Sequence, residues 1–85
     1  MSFGHRPVPA EMAFEAKAAW DAADPPIMFD DLVTAWQWVV VLFVRAVASG
    51  ATPEAAWQTA RPVTDRQGLS GGDSYLRTLR AMAAR

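Results

Sequence analysis

At 85 residues the chain is one small domain, 52% hydrophobic and 20% charged, which is too apolar for a disordered polymer. It has no cysteine and a single histidine, which excludes a disulfide framework and leaves a structural zinc site only His5 as a soft ligand. The net charge of −1 steers it to no class of partner as a whole.

The charge is nonetheless segregated. Residues 1–44 hold Arg6 and Lys17 against Glu11, Glu15, Asp21, Asp24, Asp30 and Asp31. Residues 45–85 hold Arg45, Arg61, Arg66, Arg77, Arg80 and Arg85 against Glu54, Asp65 and Asp73. A basic second half can meet an acidic surface or nucleic acid; equally, each half can simply keep itself in water.

Residues 1–8 read as an extended or flexible arm, because Pro7 and Pro9 disfavour helix. No apolar leader opens the chain, and the reading is a cytoplasmic protein. A first helix is predicted from Pro9 to Ala23, with Pro9 at its first position and Glu11 in its first turn. Met12, Ala16, Ala19, Trp20 and Ala23 share one face, the face expected to be buried. Asp24-Pro25-Pro26 ends that helix, and residues 27–29 follow as a short extended segment or a lid over the core.

Asp30 is then expected to cap a long helix over residues 31–49, stopped by Gly50. Its β-branched middle, Val39 to Val44, also admits a buried strand; the Asp start, the Gly stop and the length favour helix. The apolar stretch from Leu32 to Val44 is far shorter than the roughly 20 residues a membrane span needs. On a helical projection Asp30, Asp31, Thr34, Gln37, Arg45 and Ser49 fall on one narrow stripe, and Leu32, Trp36, Val39, Phe43 and Val47 lie opposite. Trp38 and Val41 fall within the polar stripe. They are therefore expected to be exposed or covered by a partner, and Gln37, Trp38, Val41 and Arg45 form the predicted partner-binding patch. Tryptophan is enriched among binding anchors. Folding of residues 1–10 or 24–29 over the patch is the competing expectation.

Thr52-Pro53-Glu54 starts a third helix, with Thr as cap and Pro at the first position, ending near Arg61 because Pro62 follows. Ala56, Trp57 and Ala60 should face inward. Residues 62–72, with Gly68, Gly71 and Gly72, read as a loop. Asp73 or Ser74 caps a last helix with Tyr75, Leu76, Leu79, Met82 and Ala83 on its apolar face and Arg77 and Arg80 opposite. The whole is an all-α, compact bundle of about four helices around the 31–49 helix.

Catalysis lacks parts. One histidine and no cysteine give no nucleophile–base pair, and Asp30-Asp31 reads as a cap rather than an acid–base pair. Gly68 to Asp73 precedes a helix start, where bare N–H groups can hold phosphate, but the lysine and spacing of a phosphate loop are missing. Residues 46–61 form a helix, a Gly turn and a second helix; Ala46 and Gly50, four apart, resemble the DNA-binding helix-turn-helix signature. Any αα-hairpin wants such a turn, and Glu54 would face phosphates there. The leading expectation is a cofactor-free, non-catalytic adaptor or inhibitor, of the kind carried by bacterial phages or mobile elements. It would act on a protein partner, nucleic-acid-handling machinery among the candidates. Arg61, Arg66, Arg77 and Arg80 are the expected contacts to an acidic partner or nucleic acid. The alternatives are a DNA-binding regulator using residues 46–61 and a structural homo-oligomer or homodimer.

Overall fold

The computed structural model describes residues 6–67 and 72–84. Within them lie four α-helices, α1 (Ala10–Ala22), α2 (Thr34–Ala48), α3 (Pro53–Gln67) and α4 (Gly72–Ala83), and a 3₁₀ turn at Phe29–Asp31. The expected all-α bundle is therefore what forms, with α2 at its centre.

Helix α1 starts one residue later than its sequence signals suggest. Pro9 is the N-cap, in polyproline II geometry (φ −58°, ψ 143°), and its carbonyl accepts the Met12 and Ala13 N–H groups. Ala16 and Trp20 are buried while Met12, Ala13, Ala19 and Ala23 are half-buried, so the predicted face points inward. The helix stops where Asp24 adopts a left-handed backbone (φ 55°) ahead of Pro25. Asp tolerates that region better than most residues, and proline bars further helix.

Asp30 does not cap α2. The chain closes the 3₁₀ turn instead, with the Asp31 N–H donating to the Met28 carbonyl and the Leu32 N–H to that of Phe29. This turn drives Phe29 and Leu32 into the core. Leu32 and Val33 are extended, and α2 begins at Thr34 with no side-chain cap. The helix is thus three residues shorter at its start than expected. The reason is tertiary: burying two large side chains here outweighs one capping hydrogen bond of about 1 kcal/mol.

Three polar contacts tie the turn to its neighbours. The Trp20 Nε1–H donates to the Ile27 carbonyl at 2.7 Å, the Phe29 N–H donates to Asp21 Oδ1 at 2.9 Å, and Gln37 Nε2 donates to the Phe29 carbonyl at 3.0 Å. Lys17 Nζ reaches Asp30 at 2.6 Å and Asp21 at 3.5 Å. The hydrogen bond to Asp30 is the main reason the Lys17 ammonium titrates above its ordinary value.

The α2–α3 corner follows the sequence closely. The Ala51 N–H reaches the Ala46 carbonyl and the Gly50 N–H that of Val47, each at 3.0 Å, the paired bonds of a Schellman stop. Gly50 carries the left-handed backbone that motif needs (φ 101°). The Thr52 hydroxyl oxygen then accepts the Ala55 N–H at 3.2 Å, capping α3.

Helix α3 runs through Pro62 to Gln67, beyond the expected end at Arg61. A proline costs a helix its own N–H bond, but Pro62 sits at an exposed position, and Ala60 and Val63 around it pack inward. Packing on both sides of the proline holds the helix. Of the expected 62–72 loop, residues 62–67 are helical instead and Gly72 opens α4; residues 68–71, which hold most of the candidate phosphate-binding segment, lie outside the described residues. Helix α4 includes Gly72 and Asp73, so Asp73 stands in the first turn rather than at the cap.

The core joins all four helices. Trp20, Phe43, Leu79, Val39, Val40 and Val41 are its largest fully buried side chains. Tyr75 sits between two tryptophans, edge-on to Trp36 (ring centroids 4.7 Å apart) and to Trp20 (5.8 Å). Trp36 also stacks on half-buried Trp57 at 6.4 Å. Leu76, Met82 and Ala83 add the half-buried edge of α4, as its spacing predicts.

Candidate interaction surfaces

The predicted patch on α2 is not an open surface. Trp38 is only 5% exposed and Val41 is fully buried. The arm, Arg6 to Pro9, lies across Trp38, whose Nε1–H donates to the Arg6 carbonyl at 2.6 Å, and Val8 packs on the core. Gln37 is half-buried and turned to the Phe29 carbonyl. Of the four residues only Arg45 is exposed; it borders a cleft of about 320 Å³ with Glu11, Met12 and Glu15. Asp30, Asp31, Arg45 and Ser49 of the polar stripe are exposed, while Thr34 and Gln37 between them are half-buried.

The burial of Trp38 differs in kind from that of the other tryptophans. Trp20 and Trp36 belong to the contiguous buried core, whereas Trp38 and Ala35 are buried outside it. Burial of this kind, under a chain segment rather than between elements, is a satellite of the main core.

Sequence reasoning missed Phe14, the most exposed large apolar side chain among the described residues, 75% exposed midway along α1. Ala10, Ala18 and Ala22, four residues apart on its side of the helix, are also exposed, with Glu11 and Glu15 beside them. Phe14 carries the signal that could have found it: it lies opposite the Met12–Ala16–Ala19–Trp20 face, where an apolar residue has no packing duty. Val33 and Met28 are the other exposed large hydrophobic residues among those described. An apolar groove of about 210 Å³ opens between α1, the end of α2 and the end of α4, floored by Phe43, Val47 and Met82.

The basic residues are only partly gathered. Arg77 and Arg80 line a cleft of about 280 Å³ with Asp73 and Leu76. Arg80 faces Glu54 of α3 at 3.7 Å, an exposed pair worth little on its own. Arg61 is exposed on α3, and the Arg66 side chain lies outside the described residues. Glu54 and Arg61 share the outer face of α3, and Asp73 sits in the arginine cleft, so an anion meets carboxylates at both places. Among the described residues, no three His, Asp or Glu side chains stand close enough to hold a metal ion, and no helix is long and apolar enough to cross a membrane.

No family model, curated protein or solved structure matches the chain.

Proposed function

We propose that the protein is a non-catalytic interaction module that docks on a protein partner through the outer face of α1. The single observation that carries this reading is Phe14. One bulky aromatic stands clear of a helix face otherwise built from alanines, while the opposite face of the same helix is locked into the core. This is the form of a helix that lays an anchor into an apolar groove, with small residues allowing close approach. Glu11 and Glu15 beside it favour a groove rimmed by lysine or arginine, and give the encounter a salt dependence. A partner of this kind fits an adaptor or inhibitor role.

The test is capture of the partner from the native cell by the tagged full chain, followed by affinity measurement with the parent and with Phe14→Ser. A central anchor is worth about 2 kcal/mol or more, so the substitution should weaken binding roughly 30-fold. Equal affinity of the two proteins for the captured partner would overturn the reading. A parent protein that self-associates, and loses that association in Phe14→Ser, would replace the partner with a second copy. Use of α3 on DNA would instead show as binding unaffected by Phe14→Ser and falling steeply with salt.

A further inference from the structure

We draw no further inference here: the strongest candidate, the apolar groove between α1, the end of α2 and the end of α4 floored by Phe43, Val47 and Met82, is an unpartnered surface, and nothing in the structure shows what covers it.

Discussion

Trp36 is only 3% exposed, and its indole N–H is the one buried side-chain polar atom among the described residues with no hydrogen-bond partner. An unmet buried donor costs about 1–3 kcal/mol, while the stacked and edge-on contacts to Trp57 and Tyr75 hold the ring in place. Trp36→Phe keeps an aromatic there and removes the orphan donor. Its denaturation midpoint should fall no lower than about 1 kcal/mol below the parent, whereas Trp36→Ala should lose about 3–5 kcal/mol. Equal losses for the two would show that the full indole, and not an aromatic ring as such, is what the site requires. Gly50 is the second decisive position. A Cβ there meets open space, so Gly50→Ala isolates the cost of a left-handed backbone (φ 101°). About 1–2 kcal/mol should be lost in urea unfolding, with the helical circular dichroism of the folded state unchanged.

At the scale of elements, α3 tolerates an interior proline because Ala60 before it and Val63 after it pack on the core. Pro62→Ala restores a main-chain donor and a better helix former at an exposed site. The full intrinsic gain is about 3 kcal/mol, and a stabilisation of at least ~1 kcal/mol is expected in denaturant titration. A destabilised Pro62→Ala would mean that the proline sets a bend the bundle requires. The joint between α1 and the 3₁₀ turn depends on charge. Lys17 titrates above its ordinary 10.5, chiefly because it donates to Asp30. A basic group with a raised value in the fold contributes stability while it is protonated, and loses that contribution as pH rises past the raised value. The stability gap between the parent and Lys17→Gln should therefore be present near neutral pH and close above pH 10.5. A gap independent of pH would assign it to packing of the lysine stem instead.

For the whole molecule, the stabilising face and the proposed docking face are different sides of the same helix. Phe14→Ser should leave thermal unfolding within about 0.5 kcal/mol of the parent, because the ring is outside the core. Trp20→Ala, one and a half turns farther on but fully buried, should cost about 3–5 kcal/mol. A large loss of stability in Phe14→Ser would return that residue to the core and remove the ground for a docking face.

The sequence by itself determined the four helices, their inward faces, the Gly50 corner and the Thr52 cap, because each rests on local signals: 3.6-residue spacing, a left-handed glycine, a hydroxyl before proline. The ends of α2 and α3 were not local matters. Burial of Phe29 and Leu32 overrode the Asp30 cap, and packing beyond Pro62 overrode the proline stop. The site divided in the same way. The helical angle alone set Trp38 and Val41 among polar neighbours, but an angle says only which side a residue faces, not what lies over it. The arm that roofs Trp38 is 32 residues away in sequence, and only the tertiary structure brings its carbonyl to the indole.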